Sequence, residues 1–182
     1  MKNSTARLII VLAIISIGSG LLLALTYNFT IPSIEANAAR EQEIAILETL
    51  PGATKYEEIA GTEYSMYKGF DDTGKLIGIS YVAEGGGFQG IIKMMIGINP
   101  EKEEITGIKI LSHSETPGLG ARIGEAGFQG QFAGKSINDS FVAKEDVEAI
   151  TGATISSKAV AGIIKDSLPK AMEQYKASGG GK

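Results

Sequence analysis

The first pattern along the chain is an uncharged apolar run over residues 8–25, followed by Thr26 and Tyr27. As a helix it is long enough to cross the ~30 Å hydrocarbon core of a bilayer. Lys2 and Arg7 precede it and the first charge after it is Glu35. The positive-inside rule therefore places the N-terminus in the cytoplasm and everything after Tyr27 on the outer face. A cleaved signal peptide is the competing reading, since Ala36 and Ala38 form a loose A-x-A pattern. The run exceeds the about 7–15 residues usual for a signal core and Ala36 lies far past its end, which favours an uncleaved anchor. Ser16 and Gly20 stand one helical turn apart, the kind of small-residue pair that packs against a partner helix.

Beyond this anchor the period changes twice. Residues 33–50 are rich in Ala, Glu and Gln, with Ile44, Leu47 and Leu50 on one face, and predict a second helix stopped by Pro51-Gly52. Glu48, Glu57 and Glu58 are read as solvated. A β-rich block follows. Residues 64–70 and 75–83 flank Asp71-Asp72-Thr73-Gly74, a hairpin turn, and residues 90–98 and 106–112 flank a polar connection starting at Asn99-Pro100. Four successive strands with short turns predict an antiparallel sheet. Phe128 and Phe132 are spaced for one face of a short helical segment. From Ile155 the apolar residues Ala159, Ile163, Ile164, Leu168, Met172 and Tyr175 recur with helical spacing, and Pro169 is expected to kink or restart that helix. The predicted class is α+β: a transmembrane anchor (1–27), a helical linker region (28–63), an antiparallel-sheet domain with packed helices (64–176), and a disordered tail (177–182).

Composition narrows the chemistry. The 182 residues contain no cysteine, which excludes disulfides, iron–sulfur ligation, thiolate zinc and c-type haem attachment. One histidine, His113, makes an imidazole metal cluster untenable, so no metal site is expected. Redox chemistry would need an organic cofactor. A net charge of -4 with scattered basic residues argues against nucleic acid.

Two glycine patterns invite a dinucleotide reading. Gly85-Gly86-Gly87-Phe88-Gln89-Gly90 satisfies G-x-G-x-x-G, but the mechanism needs a helix N-terminus directly after it, and Ile91-Ile92-Lys93-Met94-Met95-Ile96 reads as a strand. Gly118-Leu119-Gly120-Ala121-Arg122-Ile123-Gly124 is looser and follows a proline-bearing loop. Nicotinamide binding is rejected. Gly-Phe-Gln-Gly occurs twice, at 87–90 and 127–130, and is read as coincidence or as two similar turns.

Thr151-Gly152-Ala153-Thr154 has two readings. One is plain helix entry, with Thr154 as N-cap, Ser157 at the third helical position, and Gly152 giving the chain room to turn. The other uses the same geometry: a helix starting at Ile155 aims unpaired N–H groups and its positive dipole end at whatever Thr154 carries, which suits a phosphate diester. Ser156 and Ser157 add hydroxyl donors, and Gly152 and Ala153 leave space for a modifying enzyme. Taken with the loop Glu115-Thr116-Pro117-Gly118-Leu119-Gly120, this segment resembles the FMN-binding domain family over residues 64–168. The family pattern is an Asp, two residues, Ser or Thr, Gly, Ala and a flavinylated Thr or Ser. Here Thr154 falls on the attachment position, Thr151 on the hydroxyl position, and Glu148 where Asp is usual, with Asp146 nearby. Glu115 to Gly120 reproduce the family's flavin-holding E-T-P-G-L-G loop, and Gly87-Phe88-Gln89-Gly90 is similar to its aromatic–glycine turn.

The resemblance implies FMN held as a phosphoester on Thr154 and installed by a flavin transferase. It implies a phosphate site shaped by Thr151, Gly152, Ala153 and Ser157, and a pocket wall formed by Glu115, Thr116, Pro117, Gly118, Leu119 and Gly120. Among anchored members it most resembles the G subunit of Rnf-type ion-translocating ferredoxin:NAD oxidoreductases, and it is similar also to the C subunit of sodium-translocating NADH:quinone reductases. Electron relay with other membrane subunits is then the expected role. No acid–base catalyst is expected, because the flavin carries the chemistry. Glu115 is expected to accept hydrogen bonds from loop amides rather than touch flavin, and Leu119 to cover its ring. His113 is a candidate for tuning the flavin or relaying a proton, against the reading of a bystander. A serine hydrolase built from Ser112 or Ser114 with His113 is disfavoured, since nothing marks a nucleophile elbow. The rival function is a non-redox anchored domain for anion binding or assembly.

Overall fold

A computed structural model describes residues 2–180, so Met1, Gly181 and Lys182 lie outside the described residues, and with them the end of the tail expected to be disordered. Two compact units are formed, Met1–Glu41 and Gln42–Lys182. The first is helical. α1 (Lys2–Thr49) is one element where the apolar pattern predicts two, and it passes through Pro32. Proline removes a single intrahelical N–H, and the hydroxyls of Thr26 and Thr30 bond back to the carbonyls of Leu22 and Thr26, keeping their polarity inside the helix. The leucines and isoleucines of residues 8–25 are exposed along it, and the helix is long and apolar enough to cross a membrane.

The second unit holds the last two turns of α1, a five-stranded sheet and the C-terminal helices. β1 (Lys55–Ile59), β2 (Met66–Phe70), β3 (Leu76–Gly86), β4 (Ile91–Asn99) and β5 (Glu104–Ser112) form an antiparallel meander in which sequence order is spatial order. Four of these are the predicted strands with shifted ends. β1 is additional: its Lys-Tyr-Glu-Glu-Ile sequence is exposed up to Ile59, which an edge strand tolerates and a hydrophobic pattern does not reveal. Glu57 and Glu58 are exposed on that edge, whereas Glu48 pairs with Lys109 at 2.6 Å on the surface. Asp71 closes the β2–β3 turn by accepting from the N–H groups of Thr73 and Lys75.

Alternation sends the side chains to two layers. One face carries Met66, Ile79, Tyr81, Met94, Ile96 and Ile108 against α3 (Thr154–Ala177). Tyr81 bonds Ser167 of α3 at 2.9 Å, so the sheet and helix share one buried polar link. α3 passes through Pro169 without interruption, and a turn at residues 178–180 follows it. The other face carries Tyr67 and Met95 against Ala45, Ile46 and Leu50 at the end of α1. There Thr106 donates to the carbonyl of Thr49, satisfying a terminal carbonyl of that helix.

Between β5 and α3 the chain makes a 3-10 turn (Gly120–Gly124) and the short α2 (Ala126–Gly130). Phe128 and Phe132 meet edge to face at 5.6 Å, as their spacing predicts. The two Gly-Phe-Gln-Gly segments differ in structure: residues 87–90 turn β3 into β4, and residues 127–130 lie in α2. Their likeness is coincidence.

Candidate functional site

The site is assembled by three segments converging at one end of the sheet: the β3–β4 turn, the loop after β5, and the start of α3. Glu115 joins them. Only 4% exposed, its carboxylate accepts from the N–H groups of Phe88 at 2.8 Å and Gln89 at 3.1 Å, and from the Ser156 hydroxyl of α3. The expectation that Glu115 takes loop amides is met by a different loop from its own. Burial pushes this carboxyl up, but the Ser156, Gln89 and Phe88 bonds together with His113 outweigh it and hold Glu115 below its ordinary value. Two glycines leave room for it. A Cβ at Gly120 would lie 2.5 Å from Glu115 Oε2, and one at Gly87 would collide with Oε1. His113 is half-buried, and its Nδ1 accepts the Glu115 N–H at 3.2 Å, a local turn contact.

A depressed carboxyl contributes stability that is present above its unfolded value and lost as pH falls through its folded value. Asp146 adds to this. Burial raises it, but the N–H groups of Val142 and Phe141 and the Ser140 hydroxyl hold it below its ordinary value. The thermal midpoint should therefore decline on acidification below the usual carboxylate range, and Glu115→Gln should flatten part of that decline. A midpoint independent of pH through that range would contradict both assignments.

Helix α3 starts one residue earlier than predicted. Thr154 is its first helical residue and buried Ala153 is the N-cap, so Thr154 is not the cap. Ala153 has no side-chain acceptor with which to cap the first-turn N–H groups, and no acidic residue lies in the first turn. Gly152 takes φ +82°, which lets the chain turn into the helix. Ser157 is fully buried, accepts the Ile150 N–H at 3.0 Å and donates to the Ala153 carbonyl at 3.0 Å. It shapes the turn from within.

The start of α3 borders a cleft of about 300 Å³ lined by Phe88, Glu115, Thr116, Leu119, Gly120, Gly152, Ala153, Thr154, Ile155 and Ser156. Seven of the sequence-predicted residues meet there: Thr154, Gly152, Ala153, Glu115, Thr116, Leu119 and Gly120. Pro117 and Gly118 are exposed on the loop and do not line it. Thr151 lies instead on a neighbouring cleft with Glu148, Arg122 and Gln131, and Ser157 is internal. Gln131 holds Glu148 by its backbone, accepting its N–H and donating to its carbonyl, so the Glu148 side chain stays exposed. Asp146 is engaged within its own loop by the bonds described above. Ser156, expected as a hydroxyl donor to a phosphate, gives its hydroxyl to Glu115 instead, and Ile155 joins the lining without having been singled out by the sequence. Phe88 is visible in the sequence only as part of a turn motif, because 27 residues separate it from Glu115 and the β4–β5 pairing brings their segments together.

The lining matches an aromatic ligand bearing a phosphate. Phe88, Leu119 and Ile155 are 61, 48 and 57% exposed, an apolar rim for a planar ring. Thr154, half-buried, presents a hydroxyl at an uncapped helix start whose N–H groups and dipole favour negative charge. The residues present fit FMN. Gly85 and Gly86 end β3 and Ile91 begins β4, so the G-x-G-x-x-G segment is a hairpin with no helix end for a pyrophosphate.

The sequence model of the FMN-binding domain family matches residues 87–169, the part of the chain that contributes every segment of this pocket. The G subunit of the ion-translocating oxidoreductase complex of Methanosarcina acetivorans is 38% identical over 98% of each chain. The G subunit of the proton-translocating ferredoxin:NAD(+) oxidoreductase complex of Clostridium ljungdahlii is 33% identical over 90% of this chain and 88% of its own. The chain belongs to this G-subunit family. In solved structures the fold is shared with Shewanella oneidensis NqrC, at 24% identity and a TM-score of 0.55 over 74% of this chain and 73% of that one. The C subunit of the Na(+)-translocating NADH-quinone reductase of Parabacteroides distasonis follows, at 27% and 0.52 over 60% and 61%.

Proposed function

We propose that this chain is the membrane-anchored flavoprotein subunit of an Rnf-type ion-translocating ferredoxin:NAD oxidoreductase complex, relaying electrons through FMN esterified to Thr154. The observation that carries the reading is the Thr154 hydroxyl at the uncapped start of α3, on a pocket walled by Glu115, Thr116, Leu119 and Gly120. Similarity to G-subunit proteins over nearly the whole chain supports the Rnf-type parent over the quinone reductase.

FMN supplies the electron chemistry when bound. The chain's residues hold and shield it. Thr154 retains the phosphate covalently, and the first-turn N–H groups of α3 stabilise its charge. Gly152 and Ala153 keep the approach to that oxygen open for a flavin transferase. Phe88, Leu119 and Ile155 give the ring an apolar surface. α1 keeps the domain beside the other membrane subunits of the complex. After production together with a flavin transferase, a yellow, fluorescent band should survive denaturing electrophoresis. A colourless band would favour the non-redox anchored domain.

Lys2 and Arg7 against the first downstream charge, Glu35, put the domain outside the cytoplasm in this reading. Protease added to spheroplasts should digest residues 42–182 and leave the anchor in the membrane. Complete protection would reverse the topology, and a mature N-terminus near Ala39 would show a cleaved signal.

A further inference from the structure

Glu115 is the most fully engaged polar group at the pocket, and none of its engagements is to a ligand. One oxygen takes the N–H groups of Phe88 and Gln89 from the β3–β4 turn, and the other takes the Ser156 hydroxyl from the first turn of α3. Its own N–H goes to His113 Nδ1. A second link runs in parallel, the Thr116 hydroxyl donating to Gln89 Oε1 at 2.9 Å. The rim residue Phe88 has little packing of its own, being 61% exposed, so the position of its ring depends on the backbone that carries it.

We propose that Glu115 is a positioning residue that acts through Phe88: by tying the β3–β4 turn to the start of α3, it fixes the Phe88 ring as one wall of the pocket. The proposal rests on the flavin reading only in naming what that wall faces. Both carboxylate oxygens are committed to three donors, so the group is a clamp and not a contact to the bound molecule. Gly87 and Gly120 belong to the clamp, since a Cβ at either would collide with the carboxylate.

The chain contains no tryptophan, so Phe88→Trp creates a single fluorescent reporter on the wall itself. In the full-length protein, solubilised in detergent and produced without a flavin transferase, acrylamide quenching and anisotropy report how firmly that wall is held. Glu115→Ala in this background should raise quenching and lower anisotropy while far-ultraviolet circular dichroism is unchanged. Each bond lost shifts the ratio of closed to open turn by up to about tenfold. Ser156→Ala, which removes one of the three bonds, should fall between, and it carries the test if Glu115→Ala does not fold. Glu115→Gln should restore the parent behaviour, because an amide oxygen accepts both N–H groups and its NH2 donates to the Ser156 hydroxyl. A reporter unmoved by Glu115→Ala, or by Ser156→Ala where the former is unfolded, would overturn the clamp. So would a Gln variant that behaves like Ala, since charge rather than positioning would then be at work. Absence of flavin from the parent chain after separate production with a flavin transferase would sink the flavin reading and leave these quenching results standing.

Discussion

Thr154→Ala is expected to abolish covalently held FMN completely while leaving the domain folded. No phosphoester forms without the hydroxyl oxygen, and Thr151 faces the neighbouring cleft rather than the pocket. The structural penalty should be small. Thr154 is the first residue of α3 and not its N-cap, so the substitution removes no capping bond and should alter stability by no more than about 0.5 kcal/mol. Protein produced with a flavin transferase should therefore lose its visible absorbance and its fluorescent band, while its thermal midpoint stays within a few degrees of the flavin-free wild type. Flavin retained through denaturation would move the attachment to another residue.

The second large effect concerns the electron source. Wild-type chain carrying FMN, purified away from other subunits, should be reduced fully by dithionite and only sluggishly by NADH. The glycine-rich segment ending β3 forms a hairpin into β4, where a nicotinamide dinucleotide would require a helix N-terminus for its pyrophosphate. The chain also lacks cysteine, so no iron–sulfur centre of its own can carry electrons across the membrane. In the proposed function, reduction then comes from a membrane partner. Rapid, saturable reduction by NADH would require a dinucleotide site in this domain and would remove the relay role.

What was legible in the sequence follows the physics of burial. Strands β2 to β5 announce themselves because one or both faces are covered, and their apolar residues recur accordingly. β1 does not, since an exposed charged edge carries no such pattern. The pattern divides α1 into an anchor and a second helix because the apolar run ends near Tyr27, whereas the helical backbone continues through Pro32, where a single N–H is missing. At the site, local motifs located the loop and the helix start, because both are short and rich in Gly, Pro and hydroxyls. The cap was misplaced by one residue, since Ala153 rather than a hydroxyl residue occupies it. The inward turn of Ser157 and the contribution of Phe88 were not legible. Each depends on how distant segments pack, Ser157 beneath the turn at Ile150 and Phe88 against Glu115 through the β3–β4 hairpin.

Peptide-level mass analysis of the wild-type chain, produced with a flavin transferase, should find one FMN per chain, with fragment masses placing it on Thr154. An unmodified chain, or an adduct on Thr151 or Ser156, would contradict that attachment.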